Sequence, residues 1–206
     1  MGWRDHLDEK EAERIEREQR GRRAVRAGQS AEDAVDAVCR WYEQRGWAVV
    51  RKRPTPTRVA SRHGGRPRIY HEARAGVDYS GTVRGPRAVH FECKRTNRSS
   101  LPLDTPKGPM LRREQAAELA AAAALGAVAA VLVMITHKPR SARREIERWF
   151  WLPWSGWQAA AAAAEADNRK SLGLDLLLEH GVEVPPHPLL GGPDWLLALE
   201  AAEPAS

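Results

Sequence analysis

The informative stretch of the sequence is GVDYSGTVRGPRAVHFECKR, residues 76–95. The turn pair Gly85-Pro86 separates two runs, Gly76 to Val83 and Arg87 to Arg95, which predicts a β-hairpin. On a strand, alternate side chains share a face. Val89, Phe91 and Cys93 therefore point into a core, while Glu92 and Lys94 point the other way, beside the partner strand bearing Asp78. Two carboxylates and an amine thus converge at one end of a twisted hairpin. Like charges held side by side are costly unless a cation neutralises them. Hard carboxylate oxygens favour magnesium or manganese over zinc. Such an ion lowers the pKa of a bound water and stabilises charge on a phosphate in transit. Lys94 would orient that water or stabilise the developing charge. Glu-x-Lys alone is common and would read as an exposed acid–lysine pair. The aspartate on the preceding strand and the apolar alternation between them weigh towards a site.

Residues 1–28 read as a charged arm with little apolar surface, and the folded domain is expected to start near Gly28. Ala31, Val35, Val38 and Tyr42 fall at helical spacing, with Gly46 as a stop. Trp47 to Lys52 reads as a short strand ended by Pro54 and Pro56. Residues 54–75 are too polar for a core and too long for a tight turn, so they are expected to project. After a Pro-bearing loop at 99–109, an alanine-rich helix begins around Met110. Gly126 interrupts it, and Val128, Val131, Leu132, Val133 and Ile135 predict a buried strand. The uncharged run Leu119 to Thr136 is thereby read as helix plus strand rather than a membrane span. Arg148 to Trp154 reads as a last strand, followed by helical stretches at Gln158–Ala166 and Leu172–His180. The order of elements implies an α/β domain with a mixed central sheet, a core over 29–155 and a C-terminal helical extension over 156–206 packing on it.

The chain of 206 residues carries 33 Lys and Arg against 27 Asp and Glu, a net charge of +6. Between Arg51 and Arg74 lie eight cations (Arg51, Lys52, Arg53, Arg58, Arg62, Arg66, Arg68, Arg74) and the single acid Glu72. Clustering of this kind suits a row of phosphates; a solvated loop is the bland alternative. The two cysteines, Cys39 and Cys93, have no disulfide or zinc spacing. Asp5 to Arg23 mixes acids and bases without the apolar run of a signal peptide, so a cytoplasmic protein is expected. The histidines also lack zinc-ligand spacing.

The order Asp, hairpin, Glu-x-Lys resembles the PD-(D/E)xK nuclease superfamily and, within it, the RecU-type Holliday junction resolvases. The matching pieces are Gly28 to Glu32, Arg53-Pro54-Thr55-Pro56, Val77-Asp78-Tyr79-Ser80-Gly81, Phe91-Glu92-Cys93-Lys94-Arg95-Thr96, Leu101-Pro102-Leu103 and Gln115. In the tail, Arg169-Lys170-Ser171-Leu172 and Pro193-Asp194-Trp195-Leu196 also match, so the resemblance covers about 28–200 in the family's order. It implies a restriction-endonuclease-like fold, with Glu32, Asp78, Glu92, Lys94 and Gln115 as the active-site set. Asp78, Glu92 and the backbone carbonyl of Cys93 would hold Mg2+, with Mn2+ able to substitute. Read without the resemblance, Glu32 is nearly as well explained as an acid favoured by its helix dipole, and Gln115 equally well as a solvent-facing helix residue. The insertion at 54–75 resembles the family's stalk, whose arginines, with Arg51, Lys52, Arg53 and Arg95, would contact DNA. Three features depart from the family: Glu114 stands where a His usually precedes the glutamine, Cys93 replaces a small residue, and the arm has no clear counterpart.

The implied activity is magnesium-dependent, symmetric cleavage of four-way DNA junctions by a homodimer, since a junction offers two equivalent strands to a two-fold-related pair of sites. Two rivals stand beside it: a related nuclease of forks, flaps or linear duplex, and a junction-binding protein that does not cut. Partnership with recombination proteins is left open. His90, on the Glu92 face, reads as a phosphate contact or spacer. Trp149, Phe150, Trp151, Trp154 and Trp157 read as core and dimer packing, and Trp41 and Trp47 as core.

Overall fold

The computed structural model describes residues 31–54, 57–63, 66–71, 76–106, 108–137 and 146–202. The arm at 1–28, with the segment to Ser30, and Arg74 lie outside these residues.

Helix α1 (Ala31–Gln44) buries Ala31, Val35, Val38 and Tyr42, the stripe expected from its spacing, and Cys39 beside it. Strand β1 (Ala48–Lys52) follows. The basic insertion forms an antiparallel pair of its own, β2 (Thr57–His63) with β3 (Arg66–His71), irregular between Ala60 and His63 and separate from the main sheet. Next come β4 (Tyr79–Val83) and β5 (Arg87–Thr96), the expected hairpin. One correction concerns Asp78: it lies in the bend before β4, not on the strand. Short strands β6 (Leu101–Pro102), β7 (Asp104–Thr105) and β8 (Gly108–Pro109) lead to α2 (Arg113–Ala124).

Helix α2 is the crossover that makes β9 (Val128–His137) run parallel to β5, with Glu92 opposite Val131. Strand β10 (Ile146–Pro153) returns antiparallel, and α3 (Trp154–Ala166) starts directly after it, four residues earlier than Gln158. Then follow β11 (Ser171–Leu172), α4 (Leu174–His180), β12 (Val182–Val184) and α5 (Trp195–Ala202). Strand β10 is not the last of the sheet, because β12 pairs with it. Among the described residues the sheet order is β1-β4-β5-β9-β10-β12, mixed through the parallel pair β5–β9.

Both faces are covered. Helices α1 and α5 pack on one, where Tyr79, Phe91, Leu132, Trp151 and Trp195 are buried. Helices α2, α3 and α4 pack on the other, over Val131, Val133, Ile135, Phe150 and Leu152. Alternation along β9 sends Leu132 to one core and Val133 to the other, as a doubly covered strand requires. Trp149, Phe150, Trp151 and Trp157 are core residues, while Trp41, Trp47 and Trp154 are half-buried against it. Tail and body interlock. Ser171 and Leu172 pair with Pro102 and Leu101, and the Tyr42 hydroxyl donates to Asp194, 152 residues away. An α/β/α sandwich around this mixed six-stranded sheet is a restriction-endonuclease-like core.

Candidate active site

The site forms where the bend before β4 meets β5 under α2. Because Tyr79 pairs with Phe91, the next residue back, Asp78, comes beside Glu92. The Asp78 amide donates to Glu92 Oε2 at 2.9 Å, and the Cys93 amide donates to Asp78 Oδ2 at 3.2 Å. Glu92 is only 2% exposed, and its other oxygen accepts from Lys94 Nζ at 2.7 Å and from Gln115 Nε2. Lys94 Nζ also donates to Gln115 Oε1 at 3.1 Å. Burial, opposed by the Lys94 charge and reinforced by the Asp78 charge, pushes Glu92 up to about 7.

Gln115 is buried, because it is the third residue of α2 and turns inward. Its Oε1 accepts from the Arg112 amide at 3.0 Å, the acceptor half of a capping box. The solvent-facing alternative for Gln115 is thus excluded. Glu114, by contrast, is exposed, so the departure at that position does not enter the site.

Glu32 approaches from the first turn of α1. Its carboxylate pairs with Lys52, and its carbonyl accepts from the Tyr79 hydroxyl at 3.1 Å. The Lys52 ammonium is held above its ordinary range by that bond first, with smaller help from the charges of Asp36 and Asp78. The Cys93 thiol is raised by burial and then by Asp78, Glu32 and Glu92, so three acids act on one small region. They do not close into a cluster: among the described residues no three His, Cys, Asp or Glu side chains gather as metal ligands. What converges is the pair Asp78 and Glu92, adjacent hard oxygen donors whose mutual repulsion contributes to the raised Glu92 pKa. A divalent cation fits that donor set, since it would relieve the repulsion.

The cations read as DNA contacts divide. Arg51, Lys52 and Arg53 are ion-paired with Glu43, Glu32 and Glu118 respectively. Arg95 is exposed on β5. Arg58, Arg62, Arg66 and Arg68 belong to the β2–β3 hairpin. His90 faces the site and sets Nδ1 3.3 Å from Glu118 Oε1. Glu118 is the residue that sequence reasoning missed. Its signal is its spacing, one helical step of three from Gln115 on the same face of α2.

A mixed sheet presenting an Asp, a Glu and a Lys at the start of a β-hairpin defines the restriction-endonuclease-like class. Within it, residues 26–190 match the model of the RecU family, Recombination protein U, and the chain belongs to that family. A search of curated proteins finds no match.

Proposed function

We propose that this chain is a Holliday junction resolvase, hydrolysing phosphodiester bonds symmetrically in four-way DNA junctions during recombination. The observation that carries the reading is the convergence of Asp78, Glu92 and Lys94 in a chain of the RecU family. Pure binding has no use for two acids facing a phosphate, which disfavours a protein that holds junctions without cutting.

Asp78, Glu92 and the Cys93 carbonyl would hold Mg2+, or Mn2+ in its place. When bound, the ion supplies Lewis acidity and a more acidic water. The chain's own residues do the rest. Lys94, held by Glu92 and Gln115, presents its ammonium where charge develops on the phosphate. Gln115 fixes the Glu92 carboxylate so that its orientation does not change during reaction. Glu32, tethered to Lys52, completes the acidic rim. Arginines of the β2–β3 hairpin, with Arg95, bind backbone phosphates near the branch point. Two copies related by a two-fold axis would cut the two equivalent strands. The reading implies action on cytoplasmic DNA; among the described residues no helix is long and apolar enough to cross a membrane.

The test is magnesium-dependent cleavage of a labelled four-way junction beside a linear duplex of matching sequence, with Asp78→Asn as control. Symmetric nicking of the junction alone, lost in the variant, is the expected result. Equal cutting of both substrates would keep a nuclease of forks, flaps or duplex and discard junction selectivity. Tight junction binding without cutting would favour the non-cutting alternative.

A further inference from the structure

We infer that Glu118 is a positioning residue for Asp78, acting through the Val77 amide and the Arg53 side chain; this rests on reading Asp78 and Glu92 as the metal-holding pair. Asp78 lies in the bend just beyond the last β1–β4 pair, Lys52 with Tyr79, where regular strand pairing gives out and single hydrogen bonds must hold the backbone. Three hydrogen bonds supply that constraint. The Arg53 amide donates to the Asp78 carbonyl at 2.7 Å, the Asp78 amide to Glu92 at 2.9 Å, and the Val77 amide to Glu118 Oε2 at 3.1 Å. The other Glu118 oxygen accepts from Arg53 Nη1. Arg53 therefore grips the bend with its backbone and Glu118 with its side chain, closing a ring around Val77 and Asp78.

Gly76 shows how closely the carboxylate sits on this bend. A Cβ there would come within 1.9 Å of Glu118 Oε2 and 2.7 Å of Arg53 Nη1, and the residue holds a φ of +92°. A side chain there would push the acid off that backbone, and the positive φ itself favours glycine. His90 Nδ1, at 3.3 Å, borders Glu118 on a third side.

Gln115 and Glu118 are neighbours on one face of α2, and each serves one arm of the carboxylate pair. Gln115 donates to Glu92, and Glu118 accepts from the amide of Val77, the residue before Asp78. The helix thus sets the distance between the two acids, which a metal ion needs fixed. An ordinary surface ion pair between Arg53 and Glu118 would contribute little to anything, and that difference makes the inference testable.

The experiment titrates Mn2+ into the full chain by calorimetry for the wild type, Glu118→Ala, Glu118→Gln and Arg53→Ala. Junction cleavage is measured in parallel, with kcat and KM separated. Glu118→Ala should bind Mn2+ about 10- to 100-fold more weakly and lose kcat by a similar factor, with KM for DNA little changed. Glu118→Gln keeps an oxygen for the Val77 amide and should fall between. Hydrogen exchange at the Val77 and Asp78 amides should quicken in Glu118→Ala while core amides keep their protection. A folded Glu118→Ala with wild-type Mn2+ affinity overturns the inference. If the wild type binds Mn2+ and cuts nothing, the resolvase reading fails while the Mn2+ affinities still decide the role of Glu118. A wild type that binds no Mn2+ overturns both.

Discussion

Asp78 and Glu92 hold each other: the Asp78 amide donates to the Glu92 carboxylate, and the Asp78 carboxylate accepts from Cys93, the residue after Glu92. Neither acid can move without disturbing the backbone of the other. The pair behaves as one structural unit, and substitutions at either position should therefore look alike.

Asp78→Asn and Glu92→Gln should each lower magnesium-dependent junction cleavage by about 100- to 1000-fold or more. Circular dichroism should show intact folds, and junction affinity in EDTA should be retained. Cleavage within a few-fold of wild type in either variant would remove that residue from the site.

Gln115→Ala takes one donor from Glu92 and one acceptor from Lys94. Cleavage should fall about 10- to 100-fold, the usual scale for a residue that orients a metal ligand. Mn2+ affinity measured on the same variant should fall with it. A variant impaired in cleavage but normal in Mn2+ binding would place Gln115 on the DNA side instead.

The pH dependence has a defined sign. Burial is the main reason the Glu92 carboxyl rises from 4.5 to about 7. A carboxyl raised on folding costs stability where it must ionise: nothing below the unfolded value, increasingly between 4.5 and 7, and fully above 7. Glu92→Gln should therefore gain stability relative to wild type as pH rises through this window in EDTA. At about 1.4 kcal/mol per pKa unit the change is at most about 3.5 kcal/mol. Denaturant melts from pH 4 to 8 would measure it, and a pH-independent difference would contradict the assignment.

Replacing Arg62, Arg66 and Arg68 together by Gln should weaken junction binding and flatten its salt dependence. With about 0.9 in log–log slope per phosphate contact, the slope should shrink by up to about 2.7. Fluorescence anisotropy between 50 and 300 mM salt reads this directly. An unchanged slope would take the β2–β3 hairpin off the DNA.

Much of this was legible because it is local. Gly85-Pro86 and the apolar alternation of Val89 and Phe91 define the hairpin, and the alanine run broken by Gly126 separates α2 from β9. What was not legible depends on distant partners. Strand β12 is only three residues long and exists because β10 offers it an edge. The inward turn of Gln115 depends on how α2 seats over β5. Glu118 resembles any charged helix residue until the bend at Gly76 is placed beneath it. In the sequence Asp78 reads as a strand residue because its neighbours are strand formers; the strand starts one residue later.

The contact of Trp195 with Phe91, Trp151 and Tyr42 has a consequence for how the protein is made. Phe91 leaves the ribosome roughly 100 residues ahead of Trp195, a delay of roughly 5 to 20 seconds at ordinary elongation rates. During that interval the strands that carry the acids are already synthesised, but one apolar face of the sheet lacks its last covering helix. The nascent chain must keep Phe91 and Trp151 from other partners until the Pro193-Asp194-Trp195 segment arrives. The tail acts as a closing step in biogenesis, and a message truncated before it would yield a sticky, incomplete sheet.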